Sequence, residues 1–414
     1  METVKFGTNP TAADGLPLDE PSAVGISPTR LATLGTILNE EVSRGRLPGA
    51  VVAIARGGRF IHHEAFGYRD ASAGVPMTTD SLFWLASMTK PITTVGALRL
   101  YEQGKLLLDD EVSAHLPALA DRQVGVVDDG ADPRTVRLVP AHRQPAIHDL
   151  LQHTSGIVEG LLGTTPVHEL YAKAVGDGMT DLAADEFVER LSRVPLLHQP
   201  GKVWHYGWGL DLVGFIIESL SGQTLGSFLR DQIFDRLGMR DTSFGVPDDQ
   251  RHRYAVALSH DPDTGLPQQL PDLSRARFDS GGAGLVGTAG DYLRFAQMLL
   301  QHGRLGPARI LGRKTVEHMT SDRLMPGTDT HHLARMRFAG YGFGQGLAVR
   351  RPSAGATAPG SVGDMTWPGA GGTYWWADPR EELAVVFAAH TPSRTVRIRN
   401  FQLIRALVTQ ALID

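Results

Sequence analysis

The order of its apolar patterns is what most constrains the fold of this chain. Strand-like runs occur near both ends, and helix-like runs fill the middle. The runs 50–55 and 60–68 flank the turn Arg56-Gly57-Gly58-Arg59, which predicts a hairpin. Towards the other end, apolar strand patterns and one last helical pattern follow at 341–349, 373–377, 383–389 and 395–412. This order predicts an α/β domain built from both ends of the chain, with a helical domain inserted between them.

The boundaries follow from where these patterns change. We expect an irregular N-terminal arm over 1–25, a split α/β domain over 26–104 and 275–414, and a mainly helical insert over 105–274. Helical periodicity and glycine stops predict helices over 87–103, 185–193, 210–220, 225–237 and 290–302. Polar or Gly- and Pro-rich composition predicts irregular excursions over 122–144 and 353–363.

Charge and composition exclude several classes of function. The chain carries 40 Lys plus Arg against 45 Asp plus Glu, a net charge of −5, which does not favour binding to nucleic acid or to anionic membranes. No apolar run approaches the roughly 18–20 residues of a membrane span, and the polar N-terminus resembles no secretory signal, so we expect a cytoplasmic protein. The absence of cysteine excludes disulfides, thiol nucleophiles and thiolate metal sites.

The first candidate for chemistry is Ser87-Met88-Thr89-Lys90. Residues three apart share a helix face, so the Ser87 hydroxyl and the Lys90 amine can meet. A desolvated lysine can accept the proton of a serine, whereas an arginine stays protonated. Lysine is scarce here, with 6 Lys against 34 Arg, which makes its use at this position informative. The alternative is a helix-capping serine beside a solvated lysine.

Two further segments could complete such a site. Tyr206 lies in Lys202-Val-Trp-His-Tyr-Gly-Trp208, where a buried tyrosine can relay a proton if a cation stabilises its phenolate. The segment Trp367-Pro-Gly-Ala-Gly-Gly372 precedes a strand, and its small residues would let a substrate approach backbone N–H groups. The alternatives are a tyrosine that only packs against tryptophans and an ordinary glycine-rich turn.

Taken together, these segments resemble the motifs of the serine β-lactamase and penicillin-binding-protein superfamily, in the family's order from about residue 24 to the C-terminus. Three more segments, 150–156, 233–242 and 282–292, resemble its LLxHTSG, IFxPLGMxDT and GGLxSTAxDY sequences. Within the superfamily, the family VIII carboxylesterases are most similar. β-Lactamases have Lys-Thr-Gly where this chain has Trp367-Pro368-Gly369, and the class C enzymes have Asn where it has Trp208.

This resemblance implies a fold and a set of roles. The fold is α/β of the α+β type, with an antiparallel sheet flanked by helices plus a helical domain. Ser87 is the implied nucleophile, and Lys90 and Tyr206 are the implied acid/base pair. Because no third-motif lysine supports a Tyr206 phenolate, we favour Lys90 as the main base and Tyr206 as the donor to the leaving alkoxide. The oxyanion hole would be the N–H groups of Ser87 and Ala370.

The implied reaction is hydrolysis of a small-molecule ester through an acyl-Ser87 intermediate, without metal or cofactor. We expect short to medium acyl groups and weak β-lactam hydrolysis. The expected substrate-pocket residues are Trp208, Trp367, Gly369 and Gly371.

The alternatives within the superfamily are a β-lactamase, a D-amino-acid peptidase and an acyltransferase. A catalytically silent scaffold is the alternative from another class. An α/β-hydrolase is disfavoured because the chain has no Gly-x-Ser-x-Gly, and a zinc hydrolase because His63-Glu64 and His168-Glu169 lack a second histidine. The sequence leaves the oligomeric state and the physiological substrate open.

Overall fold

An eight-stranded antiparallel sheet forms the centre of the molecule in the computed structural model, which describes residues 16–127, 135–176, 178–352 and 355–413. The strands in chain order are β1 (Gly49–Arg56), β2 (Arg59–Asp70), β3 (Val75–Pro76), β4 (Phe83–Trp84), β5 (Gln123–Val127), β6 (Val136–Pro140), β7 (Ser243–Phe244), β8 (Leu285–Gly287), β9 (Arg304–Leu305), β10 (Ala308–Arg309), β11 (Tyr341–Phe343), β12 (Ala348–Arg350), β13 (Met365–Thr366), β14 (Tyr374–Asp378) and β15 (Leu383–Ala389). The order across the large sheet is β11-β12-β13-β14-β15-β1-β2-β3. Strands from both ends of the chain therefore meet at the β15–β1 pair.

Helices cover both faces of this sheet. In chain order, the helices of the described residues are α1 (Pro28–Ser43), α2 (Thr89–Glu102), α3 (Val112–His115), α4 (Ile147–Gln152), α5 (Pro166–Val175), α6 (Ala184–Ser192), α7 (Gly209–Ser221), α8 (Leu225–Leu229), α9 (Asp235–Leu237), α10 (Ala289–Leu300), α11 (Arg313–Met319), α12 (His331–Leu333) and α13 (Arg394–Thr409). The implied β-lactamase-like fold, an antiparallel sheet flanked by helices, is confirmed.

The central strands are apolar on both faces because each face has its own helical cover. Val51 and Ala53 of β1 belong to the core that includes α10, while Val52 and Ile54 belong to the core that includes α1 and α13. Strand β15 is likewise buried along its whole length. A continuous apolar run is the pattern expected of a strand covered on both sides, and it explains why these two strands could be recognised in the sequence.

The segment between α2 and β8 contains most of the remaining helices. The predicted helices 185–193 and 210–220 correspond to α6 and α7, and the predicted helix 225–237 is a helical run with a π-helical turn at Arg230–Phe234. The boundaries proposed for an inserted domain stay an interpretation. Among the described residues, no single helix has the length and apolar character to cross a membrane. Within the same residues, two consecutive helical segments meet these criteria only when they are counted together, and they are bent by 80° relative to each other; they span 209–221 and 225–237.

The prediction of an irregular excursion over 122–144 was wrong at its ends. Strands β5 and β6 pair there as an antiparallel hairpin, from Gln123↔Pro140 to Val127↔Val136, and residues 128–134 lie outside the described part. Both strands are rich in valine, which favours extended backbone. The polar residues between the two strands hide this valine-rich strand pattern in the composition of the whole segment.

The single strand predicted over 341–349 was also wrong. The chain forms β11 and β12, an antiparallel pair joined by a tight turn. Gly346 in that turn has φ +73°, and a Cβ there would lie 2.1 Å from Thr94 Oγ1. Gly344 and Gly346 within the apolar run therefore mark a reversal of the chain. The second excursion, 353–363, has no helix or strand in its described part, and residues 353 and 354 lie outside it.

A buried ion cluster ties the C-terminal helix to the sheet. Asp364 is fully buried and accepts from Arg405 at 2.7 Å and from the Tyr341 hydroxyl at 3.0 Å. Its second cation is Arg350, with Nε at 2.9 Å. Arg405 also lies over the ring of Trp376, 5.0 Å from its centroid. One carboxylate thus compensates two guanidinium groups inside the protein.

We expect Asp364→Ala to lower the free energy of unfolding by about 3–5 kcal/mol, because it leaves buried cations without a counter-charge. Urea denaturation measures the change. The control is Glu189→Ala, which removes an exposed ion pair with Arg193 and is worth less than about 1 kcal/mol. Equal, small effects of the two substitutions would contradict the role given to Asp364.

Candidate active site

Ser87 lies in a tight turn between β4 and α2. The turn, Ala86–Met88, is a 3₁₀ segment that continues into the first turn of α2. Ala86 has φ +48°, a left-handed conformation that costs roughly 1–2 kcal/mol for a residue with a Cβ. The Tyr292 hydroxyl donates to the Met88 carbonyl at 2.9 Å and holds the turn from the side of α10. Strain immediately before a half-buried serine marks a backbone shaped for function.

The three side chains predicted to act together do meet. The Ser87 and Tyr206 hydroxyls share a hydrogen bond of 2.7 Å. Lys90 Nζ donates to Ser87 Oγ at 3.4 Å and lies 4.5 Å from the centroid of the Tyr206 ring. Lys90 and Tyr206 are 2 % and 5 % exposed, so both polar groups face one another away from bulk water. Within this group, the tyrosine oxygen is nearer to the serine than the lysine nitrogen is.

The Lys90 ammonium has a shell of acceptors and acids. It donates to the Gly282 carbonyl at 2.8 Å, and the Gly282 N–H donates to buried Asp211 at 3.2 Å. Burial acts to lower the pKa of Lys90, but the negative potentials of Tyr206, Glu159 and Asp211 outweigh it, so the pKa is raised. Lys90 is therefore held in its protonated form.

Glu159 is an acid that the sequence analysis did not single out. Burial raises the pKa of its carboxyl to about 7, and Asp211 adds to the rise while Lys90 opposes it. Its N–H donates to the Tyr206 carbonyl at 3.4 Å, which fixes it beside that tyrosine. Asp211 did carry a sequence signal, since it interrupts the otherwise apolar start of a buried helix. No comparable signal marked Glu159.

Tyr206 is held from three sides. Its N–H donates to His332 Nδ1 at 3.3 Å, its ring stacks on Trp367 with centroids 5.6 Å apart, and His153 packs on it at 4.6 Å. Burial raises the pKa of Tyr206, and Lys90 acts in the opposite direction. Burial and the nearby Lys90 charge hold the pKa of His153 well below its usual value, so that ring is neutral.

The third motif is fastened to the serine turn. Thr373 Oγ1 donates to the Leu85 carbonyl at 3.2 Å, and the Gly369 N–H donates to the Thr373 carbonyl at 2.8 Å. These bonds bring the loop that carries Ala370 against the residues that precede Ser87. Among the hydrogen bonds of the described residues, none uses the N–H groups of Ser87 or Ala370. Both donors stay available to a substrate oxygen.

The residues expected to line the pocket lie in different surroundings. Trp367 is buried and stacks between Tyr206 and Phe338, so it supports the Tyr206 ring. Trp208 is half-buried and meets Phe187 edge to face at 5.3 Å on the helical side. Gly371 borders Trp84, whose ring lies 3.1 Å from where a Cβ on this glycine would be. Their roles in a pocket stay a prediction.

His390 is a positioning residue that the sequence analysis missed. Its Nε2 accepts from the Trp84 N–H at 2.9 Å, so its Nδ1 must donate to the Ala255 carbonyl at 2.8 Å. Burial lowers the pKa of His390 to about 4, which keeps this tautomer neutral. The ring joins the end of β15 to the strand before Ser87. A lone histidine after an apolar strand gave no indication of that contact.

Comparison with known proteins places the chain in a family. The family model described as Beta-lactamase matches residues 34–409. The chain belongs to the beta-lactamase family. An uncharacterized protein of Mycobacterium tuberculosis is 36 % identical over 87 % of this chain and 90 % of its own length. Esterase EstB of Burkholderia gladioli is 32 % identical over 90 % of this chain and 93 % of its own.

Among solved structures, EstCE1, described as a hydrolase with promiscuous acyltransferase activity, superposes with a TM-score of 0.72 at 28 % identity. The match covers 90 % of this chain and 98 % of that one. The motif-based resemblance to the serine β-lactamase and penicillin-binding-protein superfamily is thereby confirmed, and these relatives are consistent with its family VIII esterase branch.

For this beta-lactamase-family chain, we expect Gly369→Ala to displace the third-motif loop. A Cβ there would lie 2.1 Å from Thr373 Oγ1 and 2.5 Å from the Leu85 carbonyl oxygen. Both atoms would have to move to make room, and this would separate the third-motif loop from the turn that carries Ser87. The expected loss in urea denaturation is about 1–3 kcal/mol of unfolding free energy. Gly371→Ala is the matched control, since its nearest neighbour is the Trp84 ring at 3.1 Å, and it should lose less. The same loss in both would show that the Gly369 contact is not special.

Proposed function

We propose that the protein is a serine carboxylesterase that cleaves small-molecule esters of short to medium acyl chains through an acyl-Ser87 intermediate. The observation that carries this proposal is the mutual contact of Ser87, Tyr206 and Lys90, with Ser87 Oγ 2.7 Å from the Tyr206 hydroxyl and 3.4 Å from Lys90 Nζ. A nucleophile within hydrogen-bond reach of a base that is itself oriented is the arrangement that activates a serine. The family and its relatives with esterase names support a serine hydrolase or acyltransferase.

In the acylation step, the geometry favours Tyr206 as the immediate base, which differs from the assignment to Lys90 favoured by the sequence. The phenol oxygen is nearer to Ser87, and the raised pKa of Lys90 keeps the ammonium in place to stabilise a Tyr206 phenolate. Burial raises the pKa of Tyr206, so the reactive phenolate is a minor form, which the Lys90 ammonium stabilises. Ser87 Oγ attacks the ester carbonyl while its proton passes to this Tyr206 phenolate. The carbonyl oxygen becomes an oxyanion held by the N–H groups of Ser87 and Ala370.

The intermediate then collapses and the ester C–O bond breaks. Tyr206 returns the proton to the departing alkoxide, which leaves as an alcohol. In deacylation, water attacks the acyl-Ser87 carbonyl and gives a proton to Tyr206. The bond to Ser87 Oγ breaks, and Tyr206 protonates that oxygen, which releases the carboxylic acid and restores the starting state.

An apolar cavity whose wall contacts Gly371 through Leu270 is the candidate site for the acyl group. The cavity measures about 900 Å³, and its apolar lining includes Phe244, Val246, Tyr254 and Leu270. Leu270 reaches within 3.6 Å of the Cβ position at Gly371, next to the proposed oxyanion donor. Apolar walls next to a few polar groups are typical of sites for neutral ligands.

Acyl transfer to an alcohol is the second candidate function, because it uses the same acyl-Ser87 and replaces only the attacking water. EstCE1, which is 28 % identical, is described as having promiscuous acyltransferase activity beside hydrolysis. A main function as a β-lactamase is less favoured, since Trp367-Pro368 supplies neither the cation nor the hydroxyl of a Lys-Thr-Gly motif.

The proposal is tested by covalent labelling and a substrate comparison. A phosphonate ester should add to Ser87 in the wild-type protein and not in Ser87→Ala, as measured by peptide mass spectrometry. p-Nitrophenyl acetate and butyrate should be hydrolysed much faster than a chromogenic cephalosporin, and Ser87→Ala should abolish both activities. Rapid turnover of the cephalosporin without ester hydrolysis would reject an esterase, and absence of any Ser87 label would favour a silent scaffold. Adding an alcohol acceptor separates hydrolysis from acyl transfer by product analysis.

The identity of the base is tested by comparing variants of the pair. Tyr206→Phe should lower the single-turnover acylation rate by about 10²–10⁴-fold. If Lys90 acts as a cation, Lys90→Arg should keep measurably more activity than Lys90→Ala, because a guanidinium keeps the charge but cannot accept a proton. Equal losses in the two Lys90 variants, with Tyr206→Phe still active, would return the role of base to Lys90. Tyr101→Phe, on the exposed side of α2, is the control.

A further inference from the structure

A groove lined by arginine side chains adjoins the third-motif loop. It has a volume of about 430 Å³ and runs between the start of α13 and residues 332–339. Pro368 of the third motif forms part of its wall. His332, which accepts from the Tyr206 N–H, forms another part. The groove therefore begins at residues that support the catalytic group.

The charges in this groove are unbalanced. Six arginines line it, and Asp364 compensates two of them, Arg350 and Arg405. The other four have no carboxylate within ion-pair distance among the described residues. They are Arg335, Arg337, Arg394 and Arg397. Since the whole chain has a net charge of −5, this local positive excess is not a consequence of overall composition.

Arg397 is the most buried of the four. It is half-buried, and its hydrogen bonds go to the carbonyl oxygens of Ala370 and Pro392. Burial and the neighbouring Arg394 both lower its pKa, so the site is short of negative charge. Placing a cation out of water without an opposite charge is unfavourable, and a bound anion would offset it. The bond to Ala370 joins this guanidinium to the residue whose N–H is the proposed oxyanion donor.

The shape of the groove favours a small organic anion over a polymer. Its floor includes the apolar side chains of Phe338, Ile398 and Phe401 beside the guanidinium groups. A concave, partly apolar site with a few charged groups is typical of a small ligand. Guanidinium forks match the paired oxygens of carboxylate and phosphate.

We infer that the alcohol portion of the ester substrate carries an anionic group, carboxylate or phosphate, which Arg394 and Arg397 bind. This inference rests on the proposed esterase function. Both cavities adjoin the third-motif loop, the apolar one through Leu270 beside Gly371 and the groove through Pro368, so with the acyl group in the apolar cavity we assign the alcohol portion to the groove. Arg335 and Arg337 extend the positive surface outward, towards a second cavity that they share with Arg394.

The test uses aryl butyrates that differ only in the leaving phenol. 4-Carboxyphenyl butyrate and the butyrate ester of 4-hydroxyphenyl phosphate are compared with neutral 4-carbamoylphenyl butyrate, each corrected for its rate with hydroxide. We expect kcat/KM to be roughly 10- to 100-fold higher for an anionic ester, mainly through KM, with the advantage shrinking as salt is added. The carboxylate and phosphate esters identify which anion is preferred.

The arginine variants assign the effect to the groove. In Arg394→Gln and in Arg397→Gln, the ratio of the anionic to the neutral kcat/KM should fall towards one. Arg193→Gln, on the exposed face of α6, should leave the ratio as in the wild type. Arg394→Gln matters most here, because Arg394 does not touch Ala370 and its loss should not disturb the oxyanion donor.

The outcomes are distinguishable. Equal hydrolysis of anionic and neutral esters, or an anionic preference that both arginine variants keep, overturns the inference and leaves the esterase proposal standing. Preference for phenyl hydrogen succinate over phenyl butyrate, without preference among the leaving groups, overturns the assignment to the alcohol portion. Failure to hydrolyse any ester, together with no phosphonate label on Ser87, overturns the proposed function itself.

Discussion

The buried ammonium of Lys90 is the charge around which the site is organised. Burial favours the neutral form of a lysine that is only 2 % exposed, unless negative groups stabilise its ammonium form. Here Tyr206, Glu159 and Asp211 hold it, and the Gly282 carbonyl accepts its hydrogen bond. These partners come from three separate segments of the chain, around residues 159, 206–211 and 282. Their convergence on one nitrogen requires the helical region and the sheet to pack in a single arrangement.

The same arrangement explains why Tyr206 is surrounded by neutral aromatic rings. Trp367 and His153 cover the Tyr206 ring, and burial and nearby positive charge hold the pKa of His153 low. A charged imidazole at that position would compete with Lys90 for the same negative potential. The Trp367 side chain that replaces the third-motif lysine therefore has a packing role, and it leaves Lys90 as the cation nearest to the phenol among the described residues.

Much of this site could be predicted from the sequence, and the missing part has a physical reason. Ser87 and Lys90 are three residues apart on one helix, so local geometry alone brings them together. Tyr206 could be identified only by the motif that contains it, because no local rule of chain geometry places its hydroxyl 2.7 Å from Ser87. Glu159 and His390 act through contacts that only the tertiary structure creates. Which of Lys90 and Tyr206 takes the proton depends on distances of a few tenths of an ångström and on buried acids, neither of which a motif contains.

The chain has a large excess of arginine over lysine, and the two residue types suit two different kinds of chemistry. A guanidinium keeps its charge under all ordinary conditions and offers paired donors, which suits the recognition of an anion and is useless for taking a proton. An ammonium is compact enough to lie against the face of the Tyr206 ring and the Gly282 carbonyl at once. The chain has 6 lysines and 34 arginines, and it places a lysine beside Ser87 and arginines in the groove that adjoins the third-motif loop. The division follows the difference between a group that tunes a proton transfer and groups that hold a fixed charge, which is why Lys90→Arg and Arg394→Gln probe different steps of the same reaction.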